Sequence, residues 1–300
     1  MLFESYGLRP PECDGLSALL TKFCRCYGCG KVFGIGYSLL GRAIPVLAVG
    51  NLNAPVLMVG GVHGGEWLTV LVLLRFAEDL LASLACGQPL AGADLGRSLA
   101  RRGVMILPCL NPDGVEIALH GPRAAGYYGD LVSRFWFDGC LWQANARGVD
   151  LNHNFDAGWQ QLHKLEEQQG IVGPCPGRYG GDAAHSEPET QAVVNLCRRS
   201  GVSAVYAFHS QGEEIYYSYG DNTPPHSHVM AQLLAGCCGY KVAHPTGTAA
   251  HGGLKDWFIQ ETGHPGFTFE IGRGKNPLPL SDLLPIYGRL VEALAAAVIL

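Results

Sequence analysis

The segment Gly60-Gly61-Val62-His63-Gly64-Gly65-Glu66 constrains this chain of 300 residues more than any other. It follows the apolar run Pro55-Val56-Leu57-Met58-Val59, which reads as a buried strand. The residues after it, Trp67 to Leu81, read as a helix of mostly apolar side chains. A His and a Glu three apart therefore stand where a strand gives way to a helix, the edge at which clefts form in an open α/β sheet. Together they can reach one ion, as two of the three protein ligands of a catalytic zinc. Taken alone, the same spacing also suits a polar turn that caps a helix.

Two later segments add the same kind of residue at the same kind of place. Ser203-Ala204-Val205-Tyr206-Ala207-Phe208 is an apolar run that ends on His209-Ser210. Phe267-Thr268-Phe269-Glu270-Ile271-Gly272 puts a carboxylate inside a strand-like stretch. An isolated buried charge is too costly to keep, so Glu270 must be paired, neutral or functional. Arg273 and Lys275 are the partners a structural ion pair would use. For His209 the structural alternative is a core histidine with a satisfied hydrogen bond.

These residues, with Asn111-Pro112-Asp113-Gly114 and Gly148-Val149-Asp150-Leu151-Asn152, resemble the zinc metallocarboxypeptidase family. The motifs stand in the family's order, and the resemblance runs from about Ile35 to Gly272. It implies an α/β fold: a central mixed, mostly parallel sheet flanked by helices. It also implies one zinc per chain held by His63, Glu66 and His209, with Asp150 orienting His63. Glu270 becomes the general base: it takes a proton from the attacking water and returns it to the leaving amine. Apolar neighbours suit that role, because desolvation raises a carboxylate pKa toward the working pH.

Composition agrees with one large core. At 48% hydrophobic residues, a chain of this length is expected to form a single catalytic domain over 1–300, with residues 1–30 as a helical lead-in. The net charge of −5, without a basic run, argues against nucleic acid or an anionic membrane as partner. The N-terminus Met1-Leu2-Phe3-Glu4-Ser5-Tyr6 lacks the basic and apolar regions of a signal peptide, and no stretch has transmembrane length, so a cytoplasmic location is expected. The 11 cysteines read as free thiols of a reducing compartment. Cys24, Cys26 and Cys29 have no second pair at zinc-ribbon spacing, and Cys237-Cys238 reads as helix packing.

Expected elements are a helix over 15–26, strands at 43–49, 55–61 and 103–108, and a terminal helix over 281–300. Ser186-Glu187-Pro188-Glu189 opens another helix, with Ser186 as its N-cap. The stretches 121–143 and 168–185 read as irregular segments that line the site.

Departures from the family's exopeptidases bear on the substrate. Gln143 stands after Trp142 where those members carry an Arg that polarises the scissile carbonyl; Arg147 is the nearby replacement. Asn152-His153 replaces an Asn-Arg carboxylate clamp, and a neutral imidazole lacks the guanidinium fork. Thr248 and Gln211 replace two tyrosines. Asp150-Leu151-Asn152-His153-Asn154-Phe155 and His209-Ser210-Gln211-Gly212-Glu213-Glu214 resemble bacterial γ-D-glutamyl-diaminopimelate endopeptidases, the family branch that cuts peptidoglycan stem peptides. That resemblance implies a peptidoglycan-derived peptide as substrate. Lys255 aligns with the pocket base that sets side-chain preference, where it would meet a carboxylate, and Arg123 and Arg178 are further carboxylate-binding candidates. Three other readings share the core motifs: a zinc carboxypeptidase of different specificity, a zinc amidohydrolase or deacylase, and a catalytically weak peptidoglycan-binding relative.

Overall fold

A computed structural model describes residues 9–137 and 139–300. The motif at the extreme N-terminus lies outside the described residues, as does the first part of the expected lead-in. The strands are β1 (Lys31–Tyr37), β2 (Ala43–Val49), β3 (Val56–Val59), β4 (Val104–Leu107), β5 (Ala204–His209), β6 (Glu214–Tyr216), β7 (Lys241–Ala243) and β8 (Gly266–Glu270). They form one sheet in the order β1-β2-β4-β3-β5-β8-β6-β7. The central neighbours β4, β3, β5 and β8 run parallel. β1 and β2 join antiparallel on one side, and β6 meets β8 antiparallel on the other.

Helices cover both faces, which is why the central strands read as continuous apolar runs. Alternate residues nonetheless feed opposite layers. Val56, Met58, Tyr206 and Phe208 pack with the helices Leu68–Cys86 and Leu283–Ile299. Leu57, Val59, Val205 and Ala207 pack with the helices Pro188–Ser200 and Leu254–Thr262. The helix Leu68–Cys86 is buried along most of its length between the sheet and other helices, so it shows no wide polar face.

Several expected boundaries shift, each for a local reason. β3 stops at Val59 because Gly61, at φ 56°, turns the chain out of the sheet, although Gly60 N–H still donates to Leu107 O at 3.0 Å. The stretch 121–143 is partly regular: a 3₁₀ segment over Gly121–Tyr128 is followed by a helix over Gly129–Phe135. The N-cap of the helix Pro188–Ser200 is Glu187, and Ser186 instead donates its hydroxyl to the Glu187 carboxylate at 2.6 Å. The strands β6 and β7, three residues each, carry no period of their own in the sequence. All eleven cysteines are free thiols; Cys24 and Cys29 are half-buried against the core, and Cys237 and Cys238 end a helix. No helix among the described residues is long and apolar enough to cross a membrane.

One buried carboxylate sets a pH dependence of stability. Glu189, in the first turn of the helix Pro188–Ser200, accepts from Leu39 N–H at 2.9 Å, while its second oxygen is buried without a partner among the described residues. Burial, with Asp113 nearby, pushes its carboxyl up from the ordinary 4.5 to about 7. The folded state therefore holds this proton more tightly than the unfolded one. The stability it contributes is complete below about pH 4.5 and is lost as pH rises through about 7. The difference amounts to roughly 3 kcal/mol. Glu189→Gln should reduce the pH slope of denaturation midpoints measured across that window, whereas an unchanged pH profile would remove Glu189 as a cause.

Candidate metal and catalytic site

The site forms at the C-terminal ends of the parallel strands. His63 follows β3, Glu66 sits in the 3₁₀ turn Gly64–Glu66, His209 ends β5, and Glu270 ends β8. Glu270 is the register partner of His209 across β5 and β8. The turn after β3 needs its glycines. A Cβ on Gly64 would lie 2.2 Å from Gly114 O, because the Asn-Pro-Asp-Gly segment packs directly on it. Asn111 is the clasp: its Nδ2 donates to Val62 O at 3.1 Å, and its Oδ1 accepts from Gly114 N–H at 2.8 Å.

Ligand-capable atoms of His63, Glu66 and His209 lie within 4.8 Å of one another. His63 Nδ1 is 2.9 Å from Glu66 Oε1, and His209 Nδ1 is 3.2 Å from Glu66 Oε2. The two Nδ1 atoms stand 3.2 Å apart. His63 Nε2 is 3.0 Å from Asp150 Oδ1, and the other Asp150 oxygen accepts from Arg178 N–H at 2.8 Å. Burial alone would lower the His63 pKa, but Glu66 and Asp150 outweigh it and hold the ring well above its usual value. Burial opposes ionisation of Glu66, yet His63 and His209 bring it down to about 2. Asp150 is likewise held far below the usual carboxylate range by His63 and His153 against the effect of burial.

Glu270 is the opposite case. Burial and the neighbouring Glu66 push its carboxyl up to about 8. Neither basic residue expected as a structural partner reaches it: Arg273 pairs instead with Glu213 at 2.7 Å. A carboxyl with a raised pKa and no ion pair among the described residues is available for proton transfer.

With this geometry in place, the chain can be set beside known proteins. The zinc carboxypeptidase family model matches residues 25–293. This chain belongs to the zinc carboxypeptidase family. A gamma-D-glutamyl-L-diamino acid endopeptidase 1 from Lysinibacillus sphaericus is 35% identical over 260 residues, covering 84% of this chain and 63% of that protein. This chain thus spans less than two thirds of that relative's length. Among solved structures, bovine thrombin-activatable fibrinolysis inhibitor in complex with tick carboxypeptidase inhibitor has a TM-score of 0.76 at 22% identity, covering 98% of this chain and 97% of the other. The murein-tripeptide amidase MpaA from Escherichia coli O157 has a TM-score of 0.55 at 23% identity, covering 90% and 92%. Both show the zinc carboxypeptidase fold expected from the motifs.

The zinc of the family has a fitting donor set here. Asp150 faces His63 Nε2–H as acceptor, so that once Nδ1 gives up its proton on metal binding its lone pair would face His209 Nδ1 and the Glu66 carboxylate. Two imidazole nitrogens and one carboxylate suit a zinc site that keeps an open position. Loss of an outer-shell partner costs a zinc site about 10–100-fold in affinity. Asp150→Ala should weaken zinc binding by that amount in a chelator competition. Affinity unchanged within twofold would deny Asp150 its orienting role.

The structure places the remaining expected residues as follows. Arg147 is held by Glu187, with Nε and one terminal nitrogen each 2.8 Å from its carboxylate, so it is no free substitute for the missing Arg. Lys255 is buried rather than exposed on its helix. Its Nζ donates to Ser218 O at 2.8 Å and pairs closely with Asp256, so its charge is already compensated. Asn152 Oδ1 accepts from Leu254 N–H at 3.2 Å and ties the segment to the helix Leu254–Thr262. His153 Nδ1 contacts Glu166 at 2.8 Å; burial lowers its pKa, but Asp150 and Glu166 raise it more. Gln143 lies beside the metal turn, its carbonyl accepting from Gly64 N–H at 3.0 Å, and Gln211 follows Ser210 on an exposed turn. Arg123 lines a separate cavity with Cys13, Asp14 and Arg42.

Sequence reasoning missed Glu166, Glu187, Asp256 and Asn276. Asn276 forms a reciprocal pair with Ser210, whose N–H donates to Glu66 at 3.2 Å. Asp256, adjacent to Lys255, had a local signal. The others act from afar and had none.

Proposed function

We propose that this chain is a zinc peptidase that hydrolyses the γ-D-glutamyl–meso-diaminopimelate amide bond of peptidoglycan stem peptides. One observation carries the reading. The triad His63, Glu66 and His209 and a Glu270 without an ion pair among the described residues are intact, while Gln143 and His153 stand where carboxypeptidases of the family keep fixed cations. Such a site keeps the hydrolytic parts and lacks the grip on an ordinary C-terminal carboxylate. The name of the 35%-identical relative, a gamma-D-glutamyl-L-diamino acid endopeptidase, supports the same substrate class.

In this reading His63, Glu66 and His209 hold the metal. Zinc bound there supplies a Lewis acid and lowers the pKa of water toward ~7. Glu270 takes the proton of the attacking water and returns it to the leaving amine. Asp150 keeps His63 in the tautomer that presents Nδ1. Gln143 and Gln211, with their neutral amides, and Asn152 and His153 orient the peptide. Lys255 has three donors and spends two on Ser218 and Asp256, leaving one for a substrate carboxylate.

The test compares kcat/KM of the zinc-loaded protein on L-Ala-γ-D-Glu-meso-diaminopimelate and on a hippuryl-type C-terminal substrate. The tripeptide should be cut at least ~100-fold faster, the scale of losing one buried charge-assisted contact or more. Faster cleavage of the hippuryl substrate would overturn the assignment in favour of an ordinary carboxypeptidase.

A further inference from the structure

Arg178 is exposed, and its guanidinium makes no ion pair or side-chain hydrogen bond among the described residues. Its backbone is at φ 70°, a conformation that L side chains rarely adopt. Two bonds hold it there: Arg178 N–H donates to Asp150 Oδ2 at 2.8 Å, and Arg178 O accepts from His153 Nδ1 at 2.9 Å. Asp150 also holds His63, so the strained residue is two hydrogen bonds from the metal triad. On its other side, a Cβ on Gly177 would meet Gln143 Oε1 at 2.8 Å, so this strand of loop lies against the side chain that replaces the family's Arg. Backbone strain persists where surrounding structure enforces it, and here the groups that enforce it belong to the site.

The other cations around the site already have carboxylate partners, Lys255 keeping a single donor. Arg147 is bound to Glu187, Lys255 to Asp256 and Arg273 to Glu213. Arg178 keeps a whole planar fork unspent, and that fork matches a carboxylate. A γ-linked glutamyl residue carries such a carboxylate, because its α-carboxyl group remains free when the amide is made through the side chain. An ordinary peptide has no charge at that place on the acyl side of the bond to be cut.

We infer that Arg178 binds the free α-carboxylate of the γ-glutamyl residue and so selects γ-linked substrates. The inference rests on the peptidase reading above and adds to it the residue that recognises the acyl side. Asp150 and His153 then have a second task, holding the Arg178 backbone in place.

Two tripeptides test it with the zinc-loaded protein: L-Ala-γ-D-Glu-meso-diaminopimelate and the same peptide with the glutamyl α-carboxylate converted to a carboxamide. The wild type should prefer the acid by roughly 10–100-fold in kcat/KM, the scale of a hydrogen bond to a charged group. Arg178→Gln should bring that ratio close to one by slowing the acid peptide, with zinc content and the rate on the amide peptide retained. Arg178→Lys, which keeps the charge but loses the fork, should restore part of the preference. Equal rates for the two peptides with the wild type would overturn the role of Arg178 and leave the peptidase reading standing, as would a full preference kept by Arg178→Gln. Cleavage of neither peptide by the wild type would overturn both.

Discussion

Glu270→Gln should bind zinc as the wild type does and lose turnover by roughly 10²–10⁴-fold, the contribution of a positioned general base. The substitution keeps the shape of the side chain and removes its ability to accept a proton. The fall should appear in kcat with little change in KM, because in the proposed mechanism Glu270 acts on the reacting water rather than on the bound peptide. Burial and Glu66 push its carboxyl up to about 8, well above the usual carboxylate range. A cation among His63, Glu66 and His209 offsets the charge of Glu66 and favours the ionised base. A variant that keeps a tenth of the wild-type kcat would remove Glu270 from this role.

His63→Ala should abolish stoichiometric zinc, with an affinity loss well beyond the ~10–100-fold expected when an outer partner such as Asp150 is removed. The fold should survive, because both carboxylates that face His63 keep other partners. Glu66 retains His209 and the Ser210 N–H at 3.2 Å each. Asp150 retains the Asn152 N–H at 3.0 Å and the Arg178 N–H at 2.8 Å. Metal analysis beside circular dichroism separates the two effects. One zinc per chain in a folded His63→Ala protein would show that the ligands lie elsewhere.

The parts of the site that were legible in the sequence are those that end strands. His63, His209 and Glu270 each close an apolar run, and parallel strands bring the ends of such runs to one edge of the sheet. The Gly-rich turn was legible for the same reason, since only glycine fits against Gly114. The central sheet followed from its apolar runs. β6 and β7 did not, because three-residue strands at a sheet flank are set by their neighbours rather than by a period. Side-chain commitments were the least legible. His153 meets Glu166 thirteen positions on, and Arg147 meets Glu187 forty positions on. The first joins a short turn to the helix Trp159–Gln168 and the second spans the irregular stretch 168–185, and no local pattern records either path. The same stretch ties the Arg178 backbone to Asp150 and His153, whereas the sequence alone left Arg178 equivalent to Arg123.

The family supplies a hydrolytic metal centre, and in the proposed function the residues at 143 and 153 shift it away from ordinary C-termini. Product identity tests that account most directly. Zinc-loaded protein incubated with L-Ala-γ-D-Glu-meso-diaminopimelate should release L-Ala-D-Glu and free meso-diaminopimelate by mass spectrometry. The activity should disappear with chelator and return with zinc. Release of alanine instead, or cleavage that survives complete removal of the metal, would contradict it.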